Sequence, residues 1–269
     1  YAGVHEIAST DEHVYIRTSG LGYHIMGPWY NNVEQTTFTP SFPENQAVVY
    51  RFKKKQESVA NNNWNATSLG AIGYFVDGVS IFDSRDAFGY VNASNSETAL
   101  NQSDGLWSRD AYVNEFLSFD SSNSHQAGGR YHSHANPLGL RYQLGDSVSY
   151  DTASNTYSER FNGSHSPIIG WMNDGYPLYG PYGYSDPTDS SSPIKRMESG
   201  YQLRTLSSGA ARDTLPKWSA DLLGKTLQLT SDKYGPAVDS AIGGDKAVLG
   251  RYIEDYEFKG DFGMTQGNH

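Results

Sequence analysis

Four of the eight histidines, His125, His132, His134 and His165, fall in the central part of the chain. Along a β-strand alternate side chains share a face, so His132 and His134 are expected to project together, at a spacing that lets two imidazoles bind one metal ion. Tyr131 and Ser133 would then point the other way. His125 precedes a Gly128-Gly129 turn that can return it to the same place, and His165, ahead of an Asp-Gly hairpin, is expected to approach as well. The chain has no cysteine. Three or four neutral imidazoles without thiolates suit a divalent transition metal, Cu or Zn, whereas Ca and Mg prefer oxygen ligands. The alternative is a set of core or interface histidines that hold loops by hydrogen bonds to carbonyls and carboxylates.

Other catalytic signatures are missing: there is no Gly-x-Ser-x-Gly, no His-Glu-x-x-His, no phosphate-binding glycine loop and no Asp-rich calcium loop. Asp174, close to His165 in sequence, is a candidate general base toward metal-bound water, though an Asp-Gly pair is more often simply a turn.

The elements that must position these groups are mostly strands. Thirteen per cent of the residues are aromatic, and 28 Gly and 11 Pro punctuate them, a composition that suits strands and tight turns. Residues 13–17 and 47–52 read as strands. Asp77-Gly78 joins Tyr74-Phe75-Val76 to Val79-Ser80-Ile81-Phe82, and the dipeptide predicts a type I′ turn. Residues 169–179 repeat the design of residues 72–82, with Ile, Gly, Asp and Gly at matching places, which points to duplicated hairpins in a pseudo-symmetric assembly. Helix signals are short: Ser108 or Asp110 through Phe119, and Pro216 to Leu223 stopping at Gly224. Residues 185–199 read as a long exposed loop. The expected fold is all-β or β-dominated, a large sandwich- or barrel-like single domain over 1–269, with possible halves at about 1–105 and 106–269.

A net charge of −10 argues against nucleic acid or anionic lipid as a partner. No apolar stretch approaches the roughly 18 residues that cross a bilayer, and the start at Tyr1 looks like that of a processed chain. Sequons at Asn65, Asn92, Asn101 and Asn162 are candidate glycosylation sites and point toward export.

Several blocks together resemble the YHYH domain family of exported proteins: Phe119-Asp120, then His125, then Gly129 through Pro137 with Tyr131-His132-Ser133-His134 at its centre, His165 through Gly170, Asp174 through Gly183, and Asp255-Tyr256-Glu257-Phe258. The family usually has Tyr in place of Ser133, and often a cysteine between the positions of Asp120 and His125. Its activity is not established; the resemblance implies an extracytoplasmic, metal-binding role. Family members usually continue beyond Asn268-His269 with further strands. Their absence from this chain leads to the expectation of an uncovered sheet edge and assembly with other copies.

The expected function is an extracellular structural or binding protein of a surface layer, fibre or matrix, with its histidine cluster as a probable metal site. Its partners are expected to be other copies of itself or extracellular glycan. One alternative is a Cu- or Zn-dependent enzyme acting on an extracellular polymer, with His132, His134 and His165 as ligands. Another is a glycan-binding module that stacks sugars on Trp171, Tyr176, Tyr179 and Tyr182.

Overall fold

The computed structural model describes residues 1–39, 41–56 and 66–260. It is β-dominated, with three short α-helices. The chain forms two compact units that interleave in sequence: the first comprises residues 1–63, 70–83 and 116–197, the second residues 64–69, 84–115 and 198–269.

The first unit is organised around a six-stranded sheet. Its order is β14 (Pro177–Tyr179), β13 (Ile168–Met172), β4 (Ala71–Phe75), β5 (Ser80–Phe82), β10 (Arg130–Ser133) and β9 (Ser124–Ala127). All neighbours are antiparallel except β5 and β10. Trp29, Phe75, Val79, Tyr131, Leu140 and Ile169 are buried together as its core. The short helix α2 (Leu138–Gln143) follows β10. A three-stranded sheet joins β1 (Val4–Ser9), β2 (His13–Thr18) and β3 (Val48–Lys53). Two ribbons complete the unit: β11 (Val148–Asp151) with β12 (Thr156–Glu159), and β15 (Tyr182–Tyr184) with β16 (Ile194–Arg196). The expected 185–199 loop therefore carries a short strand.

The two Asp-Gly hairpins lie side by side in the central sheet and are related by a local two-fold axis. If residue 72 is equivalent to 169, the pairs Gly73↔Met172, Tyr74↔Trp171 and Phe75↔Gly170 map onto one another by exchange of strands. The flanking bonds do too: Val76 N–H donates to Ile169 O and Asn173 N–H to Ile72 O, each at 2.9 Å. Both hairpins shift register at the same place, between Ala71 and Gly73 and between Ile168 and Gly170. A Cβ on Gly73 would lie 2.7 Å from Trp171 O, and one on Gly170 2.7 Å from Tyr74 O, so the glycines permit the close approach. The turns differ from the type I′ expectation. Gly78 N–H donates to Phe75 O and Gly175 N–H to Met172 O, and only the glycines have positive φ, +85° and +89°. This is a type I turn closed by a left-handed glycine. Asp77 and Asp174 stay at negative φ because their carboxylates accept the N–H groups of Val79 and Tyr176.

The second unit has β6 (Arg85–Val91) between β7 (Ser96–Ala99) and β8 (Ser108–Asp110), and the ribbons β17 (Tyr201–Leu203) with β20 (Tyr256–Phe258) and β18 (Ala241–Ile242) with β19 (Asp245–Lys246). Helices α1 (Ala111–Glu115) and α3 (Lys217–Leu223) occupy the two predicted places, the second stopping at Gly224 with φ +62°. Its core gathers Tyr90, Trp107, Leu215 and Tyr252. No described helix is long and apolar enough to cross a membrane.

Candidate metal centre

The β9–β10 hairpin builds the centre. Gly128 and Gly129, at φ +56° and +78°, make the two-residue turn between Ala127 and Arg130, the left-handed pair that matches the twist of paired strands. That turn places His125 directly opposite His132. His134 follows one residue beyond the end of β10. One ligand atom from each of His125, His132 and His134 lies within 4.8 Å of the others, a group that could hold a metal ion. Phe82 stacks on the His132 ring at 3.8 Å and 19°. Phe119 meets the His125 ring edge-on at 4.8 Å.

The tautomers follow from the hydrogen bonds. His132 Nδ1 lies 2.9 Å from Arg130 O and His134 Nδ1 2.7 Å from Asp83 O. Carbonyls only accept, so both Nδ1 atoms carry hydrogen and, in the neutral rings, both lone pairs sit on Nε2. The two Nε2 atoms face each other at 3.2 Å. Two lone pairs at that distance repel unless a cation, a metal ion or an added proton, lies between them. His125 Nδ1 contacts Ser118 Oγ at 2.8 Å. Outer partners of this kind orient and fix metal-binding imidazoles.

His165 is not in this group. It precedes β13, and β4 and β5 separate β13 from β10, three strand spacings or about 14 Å across the sheet. The His165 ring packs instead against Tyr184 at 4.9 Å and Tyr179 at 5.6 Å, with Nδ1 2.7 Å from Ser166 O. Asp174 is exposed and engaged in its own turn. The proposed sugar platform is not one surface either: Tyr182 is buried under Phe161, and Trp171 stacks with Phe52. Of the sequons, Asn65 lies outside the described residues. Asn92 donates its amide to Ser231 O and Tyr234 O and Asn162 donates its own to Gly145 O, whereas Asn101 is exposed.

The chain matches the model of the YHYH protein family over residues 49–268. It belongs to the YHYH family. No curated protein and no solved structure matches it. In this YHYH chain the family-like blocks fall into distinct places: Phe119 and His125 through His134 at the centre, His165 through Gly183 on the far side of the sheet, and Asp255 through Phe258 in the second unit.

Tyr131, on the opposite face of β10, anchors a buried polar chain that the sequence did not reveal. Its hydroxyl donates to Asp120 Oδ2 at 2.8 Å and so accepts the hydrogen of His24 Nε2 at 3.0 Å. His24 Nδ1 is therefore a lone pair, 3.9 Å from Asp77 Oδ2. Neither of these buried atoms has a hydrogen-bond partner among the described residues. Burial pushes the Asp77 carboxyl up to about 6 and holds the His24 imidazole down to about 4. The proximity is thus no ion pair, because burial disfavours both charged forms.

Asp77→Asn should stabilise the protein at pH 7 by about 1–3 kcal/mol. The new amide can donate to His24 Nδ1 while its oxygen keeps the Val79 N–H. A carboxyl raised on folding contributes stability that is complete below its ordinary value of 3.8 and lost as pH rises through about 6. The advantage of the variant should therefore grow between pH 4 and 6 and level off above. His24, lowered on folding, contributes in the opposite sense, its stability lost as pH falls from 6.5 toward 4, and it is present in both proteins. Urea denaturation at pH 4.5 and 7 checks this; a variant less stable than the parent at pH 7 contradicts it.

Proposed function

We propose that this YHYH chain is an exported binding or structural protein whose centre is a Cu or Zn site made by His125, His132 and His134. The observation that carries the reading is the convergence of two Nε2 lone pairs at 3.2 Å, each fixed by a backbone carbonyl on the far nitrogen. Ligand atoms of a tetrahedral ion bound by nitrogen at about 2.0–2.1 Å lie about 3.3 Å apart, close to that separation. Imidazoles without thiolate or carboxylate select against Ca and Mg. Three imidazoles fill three of the four positions of a tetrahedral ion, and the burial of His125 and His132 with the phenylalanine walls limits what can reach the fourth. Metal analysis of protein purified without added metal tests the reading. Cu or Zn near one equivalent supports it; metal-free protein that takes up neither ion from solution rejects it.

The reading includes association of copies. Among the described residues strand β1 is hydrogen-bonded on one side only, by β2, and it is exposed along nearly its whole length. An open edge offers backbone donors and acceptors to a neighbouring strand. Light scattering should give a mass above that of one chain, and Ile7→Pro, which removes an edge donor, should lower it. A single-chain mass for the parent at every concentration rejects association.

A further inference from the structure

A cleft of about 550 Å³ opens in the first unit beside α2 and the β11–β12 ribbon. Tyr142, Tyr150 and Phe161 form its aromatic walls. Phe161 is about half exposed, yet its ring is held in place by stacking on the buried Tyr182 at 5.0 Å and 21°, so it presents a fixed flat face to the cleft. Tyr142 is 44% exposed and packs against Tyr150 at 5.8 Å. Flat aromatic faces of this kind bury the apolar C–H face of a ring ligand at little entropic cost.

The polar groups decide which ring. The Asp146 carboxylate lines the cleft but is occupied: it accepts from Arg141 Nε at 2.6 Å, Ser147 N–H at 2.7 Å and Ser166 Oγ at 2.8 Å. The Asn162 amide oxygen is also occupied, by Ser147 Oγ and Ser164 N–H. Arg160, in contrast, is exposed on the rim, and its guanidinium makes no hydrogen bond or ion pair with any described residue. A cleft whose carboxylate and amide oxygens are spent internally, with a planar five-donor cation spare, asks for a ligand rich in acceptors. The net charge of −10 sets a limit: a long polyanion would be repelled, whereas a short segment with one anionic group facing Arg160 would not.

We propose that this cleft binds an acidic saccharide, its sugar ring on Phe161 and Tyr142 and its carboxylate or sulfate ester on Arg160. The site is separate from the histidine centre and does not depend on metal. Calorimetric titration with a galacturonic acid trimer, a sulfated galactose trimer and a neutral galactose trimer tests it. At least one charged trimer should bind, with affinity falling as salt rises, and the neutral one should bind at least about tenfold more weakly. Arg160→Gln and Phe161→Ala, both exposed positions, should each weaken binding about tenfold or more with an unchanged circular dichroism spectrum. Whichever charged trimer binds identifies the anionic group. Equal binding of the neutral trimer, no binding of either charged one, or binding indifferent to both substitutions overturns the proposal.

Discussion

Replacing His134 by Ala should lower the Cu or Zn of the proposed centre from about one ion per chain to less than about one tenth, with affinity reduced at least about 100-fold. His134 supplies one of the two converging Nε2 atoms, and its other nitrogen is spent on Asp83 O, so the loss removes a ligand and leaves no neighbouring nitrogen of the same side chain to replace it. It is also the least buried of the three rings, which makes it the substitution that disturbs packing least. His165→Ala is the matched control: its ring lies against Tyr179 and Tyr184, and metal content should not change. Elemental analysis of the two variants after equal exposure to metal reads both outcomes. Equal loss in both would mean that His165 reaches the ion after all, and no loss in either would remove His134 from the ligand set.

In the second unit, Arg212→Met should destabilise by about 3–5 kcal/mol. Arg212 and Asp255 are both fully buried. The guanidinium grips the carboxylate with Nε at 2.7 Å and Nη2 at 2.9 Å, and also donates to the carbonyls of Pro236, Ala247 and Val248. Methionine fills similar space but leaves a buried carboxylate, held otherwise by Gly250 N–H at 2.9 Å and Tyr252 N–H at 3.3 Å, without its counter-charge. Arg212→Lys should recover only part of the loss, because one ammonium cannot span both carboxylate oxygens and three carbonyls. Denaturant unfolding followed by tryptophan fluorescence measures this, since Trp107 and Trp218 lie in that unit. A loss below about 1 kcal/mol would mean that the carboxylate finds water or takes up a proton at small cost.

What the sequence made legible was local. The period of two put His132 and His134 on one face, the Gly128-Gly129 pair placed His125 opposite them, and the Asp-Gly repeats marked two hairpins that turn out to be neighbours. Each of those signals is written in residues within a turn of one another. The turn type was missed because Asp-Gly is compatible with two left-handed residues or one, and the choice depends on whether the carboxylate bonds the N–H two residues on. The misplacement of His165 has another cause: closeness in sequence says nothing about strand order, and two strands from residues 71–82 separate β13 from β10. The same limit hid Arg212 with Asp255 and His24 with Asp77, whose partners are distant in sequence. The local two-fold also shows that one turn can serve two ends. Asp77 and Asp174 have equivalent backbones, yet one is buried beside His24 and the other faces solvent.

The interleaving of the two units has a consequence for how the protein comes into being. During synthesis every segment of the first unit has been made once residue 197 has been added and emerges soon after, whereas the second needs residues 198–269 to meet 84–115. The first unit can therefore close while the 84–115 excursion hangs from it as a tethered loop, and Trp107 must wait for Lys233 and Tyr252, its partners from the later segment. A ribosome stalled far enough beyond residue 200 for β14 to clear the exit tunnel should carry the β9–β10 hairpin and its histidines already formed, beside a half-made second unit in which Arg109 has Asp86 and Glu97 but Glu97 still lacks Arg251. The order of maturation is thereby set by the thread of the chain, the hairpins and the histidine group first, the Arg212 clasp last.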